Sequence, residues 1–352
     1  MICGLLQQLA AVQTSKHRQG AYERAGAAIL ALDDQIDAMK ELPRIPLVGP
    51  SSLRIVTEVL QTGSSPTVAR AVAESAKAAD MQSDRLRGVH CMSVARMRTV
   101  LADRNLGGPR LEDYHGDFHM HSDWSDGRTT LGEMAEACVE RGYRFSAIAD
   151  HSHYLSSTKS AGARGIARQR EALADINTRF GARFRFLAGV EANIRPDGTL
   201  DITAEDAAVL DLVVASPHAR LRGAEDQTAR MIAAVQTRGV HVLGHPTGRK
   251  WGTRAGLVAD WDAVFAAAAT RRVALEIDGD PMRQDLDAEM ATRALAAGCL
   301  FALDSDAHAP SELSYAEFAI AHARLAGIPP KRIVNCWAVD EVMEWTKERR
   351  RK

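Results

Sequence analysis

The chain has no C-x-x-C pair. Its five cysteines (Cys3, Cys91, Cys138, Cys299, Cys336) are scattered and odd in number. That argues against a disulfide framework and for a reducing compartment. No run of about 18 apolar residues is present to span a bilayer. The opening Met1 to Leu9 lacks both a positive n-region and a sustained apolar stretch, so no secretory signal is expected. Internal repeats and low-complexity tracts are also missing. Net charge is nearly absent, at −1 over the whole chain. It is unevenly spread: residues 1–110 hold 14 Lys+Arg against 10 Asp+Glu, or +4, which leaves −5 for the rest. A surplus of that size permits a polyanionic partner without requiring one. The last residues, Lys347-Glu-Arg-Arg-Arg-Lys352, are basic. These absences together predict a soluble, cytoplasmic protein with no membrane partner.

Hydrophobic residues make up 46% of the 352, enough for a sizeable core in one large domain plus a smaller one. Residues 1–110 read as helices. Leu5, Leu6, Leu9 and Val12 keep helical spacing, as do Ala28, Ile29, Leu32 and Ile36. Leu42-Pro-Arg-Ile-Pro-Leu-Val-Gly-Pro50 breaks the pattern. Ser51 or Ser52 then caps a helix through Leu60 that Gly63 closes, and Pro66 to Leu101 is Ala-rich and helical. Asn105 to Arg110 reads as a linker. Residues 111–352 alternate instead between short apolar strands (117–121, 144–150, 184–190, 210–215, 240–244, 272–277, 299–303) and helices near 130–141, 164–180, 225–238, 260–270 and 286–297. Thr129/Thr130 with Glu133 forms a capping box before the first of these helices. Seven strand–helix units over about 220 residues predict an α/β fold with a parallel sheet closed into a barrel, behind a small all-α domain.

Acids and histidines fall at the strand ends. His119-x-His121 closes the first strand, and residues i and i+2 of a strand share a face. Asp150-His151 ends the second and Glu191 the third. Ser216-Pro-His218 follows the fourth, Gly244-His245-Pro the fifth, and Asp306-Ala-His308 the seventh. In a (β/α) barrel those ends converge on one mouth. Any one histidine is explained as a satisfied structural residue. Seven of twelve at strand ends, counting His153, are not. A mixed His/Asp/Glu set without thiolate suits zinc, manganese or iron(II). The number of ligands implies two or three divalent ions, with Glu191 free to bridge; such ions together can activate water and neutralise a phosphoryl oxygen, as on a phosphorylated substrate.

At these residues the chain resembles the PHP (polymerase and histidinol phosphatase) superfamily, and most closely the PHP domain of bacterial family X DNA polymerases. The matching text is Gly116-Asp-Phe-His-Met-His-Ser-Asp-Trp-Ser-Asp-Gly127, Ile148-Ala-Asp-His-Ser152, Gly189-Val-Glu191, Ala215-Ser-Pro-His218, Leu243-Gly-His-Pro-Thr-Gly-Arg249, Ala274-Leu-Glu-Ile277 and Asp304-Ser-Asp-Ala-His308. The resemblance implies a distorted (β/α)7 barrel with a trinuclear metal centre. By that analogy His119, His121, Glu191 and Asp306 hold one ion, and Glu191, His218 and His245 a second. Asp126, His151 and His308 hold the third. Glu191 and Arg249 are the candidate catalytic residues, Arg249 as a phosphate clamp because guanidinium matches phosphate in a fork, and His153 stands behind the ligands.

Arg18 to Ile29, Pro46 to Leu53 and Glu58 to Gly63 resemble the helix-hairpin-helix region of the same polymerases, which implies DNA contact through the helical domain. Two departures stand out. Leu47 occupies a glycine position of the hairpin, and Pro50 removes an amide donor beside Gly49. About 40 residues separate hairpin and barrel, too few for a polymerase palm. Three functions therefore compete: a phosphoesterase or exonuclease at nucleic-acid 3′ ends, a small-molecule phosphatase of histidinol-phosphate or nucleotide type, and a DNA-associated binding module with an inactive barrel.

Overall fold

Serine, proline and glycine set the limits of the first helices. The fold is described from a computed structural model covering residues 1–34, 36, 44–75, 91–152, 163–251 and 254–351. α1 (Ile2–Ala11) is followed by α2 (Lys16–Leu30), where the Ser15 side chain accepts from the Arg18 amide. α3 (Pro50–Thr62) has Gly49 as its N-cap and Pro50 in its first turn. It starts ahead of the expected Ser51/Ser52 cap, because proline's missing N–H falls where a helix leaves donors unsatisfied anyway. Gly63, at φ 71°, ends it in the left-handed conformation that glycine adopts at least cost. α4 (Pro66–Ala73) is capped by Ser65, and α5 is Val94–Ala102. Much of the third predicted helical stretch, 76–90, lies outside the described residues.

Contacts divide the chain into two units: Met1–Ala102 with Arg249–Gly256, and Asp103–Gly248 with Leu257–Lys352. The first unit buries Leu6, Leu9, Ala25, Ile29, Ile55, Val56, Val59 and Val68, the apolar faces of α1 to α4. Trp251 packs against this core, so closely that a Cβ on Gly4 would stand 2.8 Å from its ring.

The second unit runs α6 (Leu131–Glu140), β1 (Phe145–Ile148), α7 (Ala163–Phe180), β2 (Arg185–Asn193), α8 (Ala204–Val209), β3 (Leu212–Ser216), α9 (Thr228–Gln236), β4 (Val242–Leu243), α10 (Trp261–Arg271), β5 (Ala274–Asp278), α11 (Ala288–Ala296), β6 (Leu300–Asp304), α12 (Ala316–Leu325) and α13 (Val339–Arg351). Thr130 and Glu133 form the predicted capping box of α6. The strands pair in parallel, in the order β1-β2-β3-β4-β5-β6. Helices between parallel neighbours cover the sheet, so the strands read as nearly continuous apolar runs.

The predicted first strand, 117–121, bends at Phe118 and makes only one ladder bridge among the described residues, Met120 with Ala307. It lies between β1 and the end of β6. On one side the amides of Ala147 and Ala149 donate to the carbonyls of Asp117 and Met120, at 2.8 and 2.9 Å. On the other, His121 N donates to Ala307 O at 2.8 Å. Elsewhere along that seam carboxylates take the place of ladder carbonyls. Asp304 Oδ1 accepts from Phe118 N at 2.8 Å, and Asp117 Oδ2 from Ser305 N at 3.1 Å. Six ladder strands and one stave sewn partly by side chains make a distorted barrel.

Its interior is filled by Phe118, Phe145, Leu187, Leu212, Val214, Val242, Ala274 and Leu300. Val342 and Trp345 of α13 join the same cluster and so plug the N-terminal end of the strands. Burying a large apolar side chain of this kind stabilises by roughly 1.5–3 kcal/mol. No described helix is long and apolar enough to cross a membrane.

Candidate metal centre

The two-residue period of an extended chain puts His119 and His121 on one face, and both are fully buried at the C-terminal mouth of the barrel. Their tautomers follow from their neighbours. His119 Nδ1 lies 2.7 Å from Glu276 Oε1, which can only accept, so Nδ1 carries the proton and Nε2 keeps its lone pair. His308 is set likewise: its Nδ1 donates to the Asp306 carbonyl at 2.7 Å, leaving Nε2 bare. A ligating imidazole held through its other nitrogen is the usual arrangement behind a metal.

Glu191, at the end of β2, is the hub. Its carboxylate lies 3.4 Å from His119 Nε2, 3.6 Å from His121 Nε2, 2.9 Å from His151 Nδ1, 3.3 Å from His218 Nε2 and 2.9 Å from His245 Nε2. Asp126 stands 3.7 Å from His121 Nδ1 and 3.4 Å from both His151 Nε2 and His308 Nε2. Asp306 Oδ1 is 3.1 Å from His121 Nε2 and 3.8 Å from His119 Nε2. Many of these separations exceed a hydrogen bond. They match instead two ligands sharing one ion, since tetrahedral bonds of about 2.0–2.1 Å place ligand atoms about 3.4 Å apart. His119 Nε2 and His121 Nδ1 are buried with no hydrogen-bond partner among the described residues, an expensive state that a cation relieves. Three groups have ligand atoms close enough for one ion: His121, Asp126, His151 and His308; His119, His121 and Glu191; and His151, Glu191 and His218. The donor set fits divalent cations.

All nine residues expected as ligands therefore stand at one mouth. The remaining expectations are placed differently. Arg249 is buried and belongs to the Arg249–Gly256 segment of the first unit. His153 lies outside the described residues.

Local backbone explains several placements. Asp150 turns away from its neighbour His151 and accepts from Ser122 N at 2.8 Å, Ser125 Oγ at 2.5 Å and Gln169 Nε2 at 2.7 Å. It thereby folds the 122–126 turn that presents Asp126. Gly127 is required in that turn, because a Cβ would meet the His121 carbonyl carbon at 2.6 Å. Two ligands, His245 (φ 23°) and Asp306 (φ 51°), sit at positive φ. Such backbone costs about 1–3 kcal/mol per residue and persists where surrounding structure imposes it. At His245 the imposing group is Glu276, whose Oε2 accepts from the His245 amide.

Glu276 thus holds two ligands at once, and the strand pattern shows it only as an acid inside the apolar run Ala274-Leu-Glu-Ile277. A buried charge in such a run needs a partner, which was the available signal. Arg283 left no comparable trace. Its Nε lies 3.3 Å from Asp306 Oδ2 and 3.4 Å from Asp278 Oδ2, so it occupies the oxygen of Asp306 that faces away from the histidines.

The electrostatics are those of a cation cage. Burial pushes the Glu191 pKa up, but His218 and His119 outweigh it and hold the carboxyl well below its ordinary range. Burial lowers His151, yet Asp126 and Glu191 raise it to about 10. Burial, aided by Arg283, pushes His245 down to about 3. Carboxylates this readily ionised, beside imidazoles that now bind protons, offer the same lone pairs to metal ions.

No protein-family model matches the chain. It is 36% identical over 238 residues to "DNA polymerase/3′-5′ exonuclease PolX" of Bacillus subtilis (strain 168), an alignment covering 67% of this chain and 42% of that protein. The chain thus spans less than half the length of that relative. It is 30% identical over 237 residues to "Probable phosphatase YcdX" of Escherichia coli O139:H28 (strain E24377A / ETEC), covering 63% of this chain and 90% of that protein. Among solved structures it is similar to a histidinol phosphate phosphatase from Lactococcus lactis subsp. lactis Il1403, complexed with zinc, L-histidinol and phosphate. That similarity has TM-score 0.43 and 15% identity, covering 60% of this chain and 94% of that one.

Proposed function

This chain belongs to the PHP superfamily, and from that premise we propose that it is a metal-dependent phosphoesterase acting at nucleic-acid 3′ ends. The observation that carries the hydrolytic reading is Glu191, a buried carboxylate within 4 Å of five imidazoles drawn from four staves of the barrel. Two or three divalent ions, zinc, manganese or iron(II), would supply an activated water and neutralise charge on the phosphoryl oxygens. His119, His121, Glu191 and Asp306 would hold one; Glu191, His218 and His245 a second; Asp126, His151 and His308 the third.

The chain's own residues do the rest. Glu276 fixes the His119 tautomer, so that its lone pair faces the ions. Arg283 steadies Asp306 from behind. His218 and His308 are part exposed at the mouth, where a phosphate arriving from solvent would first meet the site.

The similarity to an exonuclease-bearing polymerase supports the 3′-end substrate. So does the hairpin of the helical unit, with DNA as the partner it would contact. Leu47 adopts φ 67°, the left-handed turn that a glycine would take there, so the turn keeps its backbone despite its side chain. The second reading, a small-molecule phosphatase, is favoured by that same side chain, which is 66% exposed and apolar where a phosphate backbone would approach. A screen of metal-reconstituted protein against 3′-labelled oligonucleotides and a phosphomonoester panel, with His119→Ala as blank, separates them. Shortened oligonucleotides are expected. Intact oligonucleotides with turnover of a monoester would give the second reading, and no turnover of either would remove both.

A further inference from the structure

The regular pairing of β1 with β2 stops short of the ligands that the two staves carry. It runs in parallel register from Phe145 with Arg185 to Ile148 with Ala188. β2 then continues against β3 instead, Gly189 to Asn193 alongside Leu212 to Ser216. His151 and Glu191 meet in an isolated bridge, with Glu191 N donating to Asp150 O at 3.1 Å. Even so, His151 Nδ1 stands 2.9 Å from the Glu191 carboxylate. Holding two ligand atoms that close, where the ladder has ended, calls for a further constraint.

Asp201 provides one. Its Oδ1 accepts from Ser152 Oγ at 2.6 Å and from Asn193 N at 2.8 Å, and its Oδ2 from Asn193 Nδ2 at 2.5 Å. The Asp201 amide donates in turn to the Asn193 carbonyl at 3.1 Å. Ser152 follows His151 directly, and Asn193 stands two residues beyond Glu191. A single carboxylate therefore clasps the two staves just past their ligands. Bonds to a charged acceptor are shorter and stronger than neutral ones, and the Ser152 hydroxyl is buried, where a lost partner is costly.

A loop aspartate commonly does no more than cap the next helix or close a turn on its own neighbours. Neither explains Asp201. α8 is capped by Thr203, whose side chain accepts from Asp206 N. The turn before it is closed by Asp197, which accepts from the amide and hydroxyl of Thr199. The side-chain bonds of Asp201 reach 8 residues back to Asn193 and 49 back to Ser152.

We propose that Asp201 is a positioning residue of the metal centre. It touches no ligand atom. It fixes the His151 stave against the Glu191 stave, and so sets the grip on the ion that Asp126, His151 and His308 would hold. This rests on the reading of the mouth as a metal centre.

The test uses the full-length chain freed of metal and titrated with Zn2+ alone against a chelating dye. The wild type is compared with Asp201→Ala, Asp201→Asn, Ser152→Ala and the double variant Ser152→Ala/Asp201→Ala. His308→Ala removes a ligand of that ion alone and so marks its binding step. Asp201→Ala should weaken the marked step by roughly 10–100-fold and leave the other steps as in the wild type. Asp201→Asn keeps an oxygen for Ser152 and the Asn193 amide, so it should restore most of the affinity. Ser152→Ala should weaken the same step, and the double variant should be no weaker than Asp201→Ala, because both changes open one clasp. With Co2+ in place of Zn2+, the visible spectrum of the marked ion should change in Asp201→Ala and return in Asp201→Asn. If Asp201→Ala does not fold, Ser152→Ala carries the comparison. Equal weakening of every step, or an unchanged marked step in the folded variants, would overturn the proposal while leaving the metal centre intact. A wild type that binds no Zn2+ would remove the metal reading and the proposal with it.

Discussion

His241 and His245 sit four residues apart on one stave of the barrel, and they show what separates its base from its mouth. His241, at the base, is buried with both nitrogens engaged: Nδ1 accepts from Val213 N at 3.0 Å, and Nε2 donates to Thr346 O at 3.1 Å. Its backbone is ordinary. His245, at the mouth, is equally buried, but its φ is 23° and its Nδ1 has no hydrogen-bond partner among the described residues. At the base the histidine is internally satisfied and packs against Trp345. The mouth concentrates carboxylates, bare imidazole lone pairs and strained backbone. A fold tolerates that concentration where a ligand completes it.

The largest expected effect breaks the mouth alone. Glu191→Gln removes the one oxygen pair that five imidazoles share. Hydrolysis should fall at least about 10³-fold, with loss of bound metal, while the thermal midpoint of the metal-free protein stays near that of the wild type. An unchanged metal content would show that Glu191 is a structural acid. The converse break is Trp345→Ala at the base. It should destabilise the fold by about 3–5 kcal/mol in urea titrations, with the folded fraction keeping its metal. Loss of metal without loss of stability would place α13 in the wrong role.

Glu276→Gln probes the link between two ligands. It keeps the shape but weakens acceptance from His119, so metal affinity should drop by roughly 10–100-fold, read by competition with a chelating dye. Wild-type affinity would reduce Glu276 to packing.

At neutral pH the smallest effect is that of His241, which shows only as a pH dependence at the base. Burial depresses the His241 pKa to about 3, below its value of about 6.5 in the unfolded chain. The unfolded state therefore binds the proton first. His241 contributes its full stabilisation above about pH 6.5 and loses it as pH falls toward 3, by about 1.4 kcal/mol per unit. His241→Gln should flatten the acid limb of stability against pH, and an identical limb would mean that His241 is not buried neutral.

Much of this contrast was legible in the text. The i, i+2 spacing of His119 and His121, and the placement of Glu191, His218 and His245 after apolar strands, are consequences of a period of two and of parallel connections. The first stave was legible as extended but not as irregular. Its seam is sewn by Asp117 and Asp304, and no local pattern says that a carboxylate replaces a ladder carbonyl. Asp150 and His151 are adjacent in the text, and only the Ser122–Ser125 turn reveals which one faces the site. Arg283 reaches Asp306 from a different connection, a long-range pairing that periodicity cannot encode. The plugging of the base by α13 was equally silent, because an amphipathic helix states that it packs and not what it packs against.

Elemental analysis of reconstituted, dialysed protein tests the central claim most directly. Wild type should retain two or three divalent ions per chain, and Glu191→Gln distinctly fewer. A wild-type protein that retains none, while still folded, would contradict the account of the mouth as a metal centre.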